Sequence, residues 1–224
     1  MLQYVRKDIA VTEMTSEFER QRQLEALHAE LRACRRCLEA GYPITPGAIS
    51  SGPATAQIML VGQAPGITEP AAGRPFHGPA GRRLFAWLAE IGWDEAHFRA
   101  TQYMTAITKC YPGKKGRGDR VPTRTEQMLC APFLAQQLAL IQPKIIISVG
   151  GLSIRRFLGN VRLTDMVGTA VQDVEGRWIL PLPHPSGTSL WLNDEENLIM
   201  LDLALKKLAA LMRQLQIDLK SNEE

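Results

Sequence analysis

The sequence predicts an α/β fold whose parallel sheet is covered by helices on both faces. Three observations carry that prediction. Short apolar runs, IMLV at 58–61, KIIISVG at 144–150 and WILPLP at 178–183, read as buried strands. Helical segments alternate with them along the chain, the pattern of a parallel sheet. Two turn sequences, GQAPG at 62–66 and HPSG at 184–187, each follow a strand directly. They therefore belong on the same sheet edge, where such sheets bind ligands. At 224 residues the chain is long enough for one α/β domain with a real core. A single domain over 1–224 is expected, with an N-terminal helical segment over about 1–40.

Each element has its own warrant. Residues 17–35 carry Leu24, Leu27 and Leu31 at helical spacing, and this helix delivers a CxxC. Residues 41–56 are rich in Gly, Pro, Ser and Thr and read as a loop. The first strand is 57–62, followed by GQAPG and a polar loop to Gly78. Residues 79–92 form a helix with Pro near its start and Gly at its end. Residues 102–109 are a strand leading into Cys110, and a basic loop follows over 111–123. A helix over 124–141 bears Cys130 and stops before Pro143. The strand at 144–150, a short helix at 151–159, the strand at 178–183 and a long amphipathic helix at 195–216 complete the chain.

Composition narrows the function classes. Hydrophobic residues make up 45% and charged residues 22%, ordinary for a soluble protein. No apolar run approaches the roughly 18–20 residues of a membrane span, and the N-terminus lacks a secretory apolar region. A cytoplasmic protein that does not contact membrane is expected. The net charge is only +3, but Lys114, Lys115, Arg117, Arg120 and Arg124 crowd one loop against a single acid, Asp119. That loop is either a solvated surface or a contact for phosphates. The four cysteines are Cys34, Cys37, Cys110 and Cys130. Disulfides are not expected in the cytoplasm, and a CxxC with a second pair is suited to a metal centre, zinc or iron–sulfur.

The motifs in combination resemble the uracil-DNA glycosylase superfamily. GQAPG, GRPFHGPAG at 73–81, TAITKCYP at 105–112, PKIIISVGG at 143–151 and PHPSG at 183–187 occur in that family's order. With all four cysteines they are most similar to family 4, the iron–sulfur enzymes of bacteria and archaea. The resemblance implies a three-layer α/β/α sandwich around a four-stranded parallel sheet. It implies a [4Fe-4S] cluster on Cys34, Cys37, Cys110 and Cys130, and a monomer that acts on DNA containing a damaged or deaminated base. In a prokaryote it would associate with the nucleoid.

The expected chemistry is hydrolysis of the bond between a flipped base and deoxyribose. Phe76 matches the family's stacking aromatic. His184 matches its catalytic histidine, an N–H donor to the oxygen on which charge grows. Backbone groups of Gly62, Gln63, Ala64, Pro65 and Gly66 would hold the base and the attacking water. Ser186, Gly187, Lys114, Lys115, Arg117 and Arg120 would contact phosphate, with Arg82 and Arg83 beside them. Leu190 and Trp191 are wedge residues for the vacated stack, or packing beneath the terminal helix. The departures define what is unusual here. Gln63 stands where family 4 usually has Glu, and Ala64 where family 1 has Asp. Ala106 replaces the Asn that reads the uracil edge, which removes a bidentate amide. Pro79 stands where family 5 has Asp. With no base in the first motif, Glu69 is the expected substitute for activating water, ahead of His77. The missing reader predicts altered base choice, with uracil, hypoxanthine or another deaminated base as substrate.

Overall fold

The computed structural model describes residues 2–116, 118–187 and 189–217, with side chains from residue 16 onward. Its strands are β1 (Ile58–Gly62), β2 (Tyr103–Ala106), β3 (Lys114–Lys115), β4 (Gly118–Asp119), β5 (Ile145–Val149), β6 (Val171–Gln172) and β7 (Trp178–Leu182). Five of them form one sheet in the order β2-β1-β5-β7-β6, while β3 and β4 form a separate hairpin. Strands β2, β1, β5 and β7 are parallel, the four strands the resemblance implies. Strand β6 is an addition to that expectation: two residues paired antiparallel to β7. Asp173 makes this return possible. Its carboxylate accepts the N–H groups of Glu175 and Arg177 at 2.9 and 3.0 Å, which folds the tight turn between the strands.

The strands are apolar at successive positions because both sheet faces are covered. Register sorts their side chains into two rows. Met104, Leu60, Ile147 and Leu180 stand side by side and face one core, with Leu84, Leu88, Leu205 and Leu208. Tyr103, Met59, Ile146 and Ile179 face the other, with Leu24, Leu27, Phe133 and Leu134. Full burial of such a side chain is worth about 1.5–3 kcal/mol.

The helices are α1 (Leu2–Ala33), α2 (Arg36–Glu39), α3 (Glu69–Ala72), α4 (Pro79–Glu90), α5 (Glu95–Thr101), α6 (Arg124–Ile141), α7 (Gly151–Leu158), α8 (Leu163–Met166) and α9 (Glu195–Gln214). None of the described helices is long and apolar enough to cross a membrane. Helix α1 begins far ahead of the expected residue 17, since no Gly or Pro interrupts the chain before Gly41. It ends before the CxxC: Cys34 lies just past it and Cys37 lies on α2. Strand β2 is shorter than the expected 102–109 because the N–H groups of Ile107 and Thr108 turn to the carbonyls of Gly62 and Gln63. Helix α6 has the expected bounds. Thr123 accepts the Glu126 N–H while the Glu126 carboxylate accepts the Thr123 N–H, a reciprocal cap.

The sheet order fixes where a ligand can go. From β1 the chain moves outward to β2, then returns to lay β5 on the other side of β1. The crevice at this reversal opens between the carboxyl ends of β1 and β5. The hairpin of β3 and β4 covers it and is fastened by Arg120. That guanidinium donates to Glu126 at 2.6 and 2.7 Å and to the Pro112 carbonyl at 3.0 and 2.7 Å. Burial pushes the Glu126 carboxyl up, but Arg120 and the Thr123 groups outweigh this and hold it below the usual value. A depressed carboxylate contributes stability that is lost as pH falls. Glu126→Ala is expected to lower unfolding stability by about 3 kcal/mol, since it strands a largely buried guanidinium. Denaturant unfolding checks this, and a loss below about 1 kcal/mol would show that the clamp is dispensable.

Candidate active site

The crevice holds a cavity of about 430 Å³, within the range of small-ligand sites. Gly62 to Gly66 form one wall as the chain leaves β1. Phe76, Gly150, Gly151, His184 and Ser186 supply others, and Asp119 and Arg120 of the hairpin segment close it above. The GQAPG and HPSG turns therefore share one sheet edge and one cavity, as their places after strands require.

Phe76 is held in an unusual conformation. Its φ is +54°, in the left-handed region that a bulky residue rarely adopts. Two glycines and an arginine fix it there. A methyl group on Gly62 would lie 2.9 Å from Phe76 Cζ, and one on Gly81 would lie 1.7 Å from the Phe76 carbonyl oxygen. Arg99 donates to the carbonyls of Pro75 and Phe76 at 2.9 and 3.0 Å. The ring lies across the start of the first turn and is half-buried in the cavity wall.

His184 has a defined tautomer. The Ser186 N–H donates to its Nδ1 at 3.2 Å, so Nδ1 is the acceptor and the proton of the neutral ring sits on Nε2. Burial holds the imidazole below its ordinary value, and the Asp119 carboxylate opposes this only in part. The neutral ring is thus an N–H donor within the cavity. It packs against Gly150 (φ +83°), where a methyl group would come 3.3 Å from its Cδ2.

Glu69, at the start of α3, lines the same cavity. Burial pushes its carboxyl up to about 7, and the N–H groups of Gly66 and Phe76 and the charge of Arg99 oppose the rise. Asp119 adds to the rise by like-charge repulsion. A carboxyl poised near neutrality in a cleft is suited to general base work. His77, the second substitute, is exposed, and its Nδ1 accepts from Arg74 Nε at 3.1 Å.

The remaining expected site residues divide. Lys114 and Lys115 are exposed on the hairpin, and Gly187 is exposed beside Ser186. Arg117 lies outside the described residues. Arg120 departs from the expected phosphate contact: its guanidinium is committed to Glu126 and Pro112. Leu190 is 82% exposed, as a wedge would be. Trp191 is packed against the core, and its carbonyl accepts from Asn197 at 3.0 Å, so it serves as packing. Ala106 is buried at the end of β2, paired with Gly62, and does not line the cavity. Sequence reasoning missed Asp119 as a cavity residue. Its signal was present: it is the lone acid among five cations.

A second cavity gathers Cys34, Cys37, Cys110 and Cys130. Leu31, Ile44, Ala48 and Phe133 enclose it. Burial pushes the Cys37 thiol up to about 11 and the Cys110 thiol to about 12, with mutual repulsion between the sulfurs adding to both. The Thr108 hydroxyl borders this cavity, buried and without a partner among the described residues. Among the described residues no three His, Cys, Asp or Glu side chains converge as a site for a single ion. Four soft donors around one apolar cavity, with an orphaned hydroxyl beside them, fit a thiolate-held cluster.

Comparison with known proteins agrees with this architecture. The family model of the uracil DNA glycosylase superfamily matches residues 49–209. The chain is 34% identical to a type-4 uracil-DNA glycosylase of Pyrobaculum aerophilum, over 69% of this chain and 72% of that protein. It is 29% identical to the type-4 enzyme of Thermotoga maritima, over 75% of this chain and 84% of that one. It is 34% identical to that of Archaeoglobus fulgidus, over 73% and 81%. The matched region runs from the loop ahead of β1 into α9 and so includes both turns, Phe76, Glu69 and His184; on these grounds the chain belongs to the uracil DNA glycosylase superfamily.

Proposed function

We propose that this protein is a DNA repair glycosylase that hydrolyses the N-glycosidic bond of a deaminated base flipped out of DNA, uracil first among the substrates. The observation that carries this reading is the meeting of His184 and Glu69 in one cavity, each biased toward a different role. The base enters the crevice and stacks on Phe76. As the bond from C1′ to the base nitrogen breaks, its electron pair leaves with the base and negative charge grows on a base carbonyl oxygen. The Nε2–H of His184 donates to that oxygen, and a neutral ring suffices. A water oxygen then bonds to C1′, and its proton passes to the Glu69 carboxylate. Backbone groups of Gly62 to Gly66 line the water's side of the cavity.

Lys114, Lys115, Ser186 and Gly187 contact phosphate in this reading, and Leu190 fills the stack. Cys34, Cys37, Cys110 and Cys130 would hold a [4Fe-4S] cluster, which would supply a structural link between the chain segments that carry them. The packing of α1 on α6 beneath the sheet supports reading 1–224 as one domain.

A panel of single- and double-stranded oligonucleotides carrying uracil, hypoxanthine, xanthine or mismatched thymine tests the activity. His184→Ala is expected to slow cleavage about 10²–10³-fold. If the parent protein leaves no more alkali-labile sites than this variant, the chain is a DNA-binding relative without activity. Glu69 predicts the pH profile. The carboxylate is the active form, so the rate rises with pH through about 7. Glu69→Gln removes that limb and costs about 10²–10⁴-fold; an unchanged limb rules Glu69 out as the base. Folding stability runs the other way, falling as pH rises toward 7, because the folded state holds the proton more tightly. Ala106 is buried and off the cavity, so Ala106→Asn is expected to leave base preference unchanged; a raised preference for uracil means that position 106 reaches the base edge. Anaerobic protein is expected to be brown with a broad visible band and to contain iron; a colourless protein with bound zinc would reject the cluster.

A further inference from the structure

We propose that Asp119 is a second catalytic carboxylate, one that faces the sugar and stabilises the positive charge that develops there. The inference rests on the glycosylase reading of the cavity. Its basis is the placement of the two side-chain oxygens. Oδ1 accepts the Tyr111 hydroxyl at 3.0 Å. Oδ2 faces Gly66: a methyl group built on that residue would stand 3.6 Å from Asp119 Oδ2 and 3.7 Å from Glu69 Oε1. Two carboxylates thus address one small space on the turn after β1, and the missing side chain of Gly66 keeps the space open.

The hairpin that carries Asp119 is anchored. Asp119 is paired with Lys114 across the hairpin. Its chain neighbour Arg120 is fixed by its own N–H to the Gly113 carbonyl at 2.8 Å and by the clamp to Glu126 and Pro112. The Tyr111 ring is buried, so its hydroxyl is a fixed donor. Asp119 is exposed in the free protein, so it is an anion positioned in advance for a cation, and its stabilisation becomes strong once bound DNA shields it from water.

The reaction supplies such a cation. When the C1′–N bond breaks ahead of attack, positive charge spreads over C1′ and the ring oxygen while the base departs with the electron pair. Water bonds to C1′ and gives its proton to Glu69. Asp119 takes no proton in this step; it opposes the sugar's charge and accepts a hydrogen bond from the same water. This division matches the two-carboxylate logic of glycoside hydrolysis, in which one group moves a proton and the other meets the cationic carbon. It also accounts for activity without a carboxylate at Gln63 or Ala64.

The test compares binding of two DNA duplexes that cannot be cleaved. One carries a pyrrolidine abasic site, cationic at the position of the sugar charge; the other carries neutral tetrahydrofuran. The expected result is tighter binding of the cationic site by the parent protein. Asp119→Asn, which keeps an oxygen for Tyr111, lowers the ratio of the two affinities about 10-fold or more and slows base release about 10²-fold, while tetrahydrofuran binding is unchanged. Tyr111→Phe lowers the ratio less, because the carboxylate remains. No cationic preference in the parent, or a ratio that survives Asp119→Asn, overturns the proposal. If the ratio falls but the parent cleaves none of the base substrates, the assignment of Asp119 to a cation site stands and the glycosylase reading fails. If the parent cleaves and the ratio holds, the reverse is true.

Discussion

Glu126 carries a buried negative charge at the first turn of α6, and the geometry of both cavities follows from how that charge is met. Its oxygens take two hydrogen bonds from Arg120 and one from the Thr123 N–H. Arg120 extends the same network to the Pro112 carbonyl. Pro112 borders the cysteine cavity on one side and the candidate active site on the other. One ion pair thus sets the start of α6, which bears Cys130, and the approach of the hairpin to the crevice. An exposed loop rich in lysine and arginine would otherwise repel itself. Here one cation of the cluster is drawn inward, while Lys114, Lys115 and Arg124 stay exposed.

Two ionisable groups of the crevice, His184 and Glu69, are driven in complementary directions by the same cause. Desolvation disfavours charge on either group. For His184 this keeps the ring neutral, so that Nε2–H can donate without a proton being lost or gained. For Glu69 it brings the carboxyl toward the range where it both accepts and releases a proton. One physical effect, desolvation, thus leaves a neutral N–H donor and a carboxyl that titrates near 7 in the same cavity.

Much of this was legible in the sequence. Apolar runs gave strands because burial on both faces demands it, and the spacing of Leu24, Leu27 and Leu31 gave the face of α1. GQAPG and HPSG gave the sheet edge. The place of Glu69 after the first turn marked it as a candidate, and it does line the cavity with His184. What escaped was set by tertiary geometry. Strand β6 exists because Asp173 folds a turn, a contact among side chain and backbone that composition does not reveal. Arg120 was read as a phosphate contact from residue type, but it is drawn to Glu126 and Pro112 on the neighbouring turns; for Trp191 local sequence left wedge and packing open, and the core takes it up. Asp119 was visible only as an odd acid in a basic loop, and the bend of the hairpin over Gly66 gave it meaning.

Phe76 shows how tightly a binding surface can be tied to its surroundings. Its left-handed backbone, of a kind that costs about 1–3 kcal/mol, exists only while Gly62 leaves room for its ring and Gly81 leaves room for its carbonyl. None of the three can drift alone: a side chain at either glycine displaces the ring, and a different residue at 76 removes the reason for both glycines. A substitution at any one of the three therefore has to be matched at the other two.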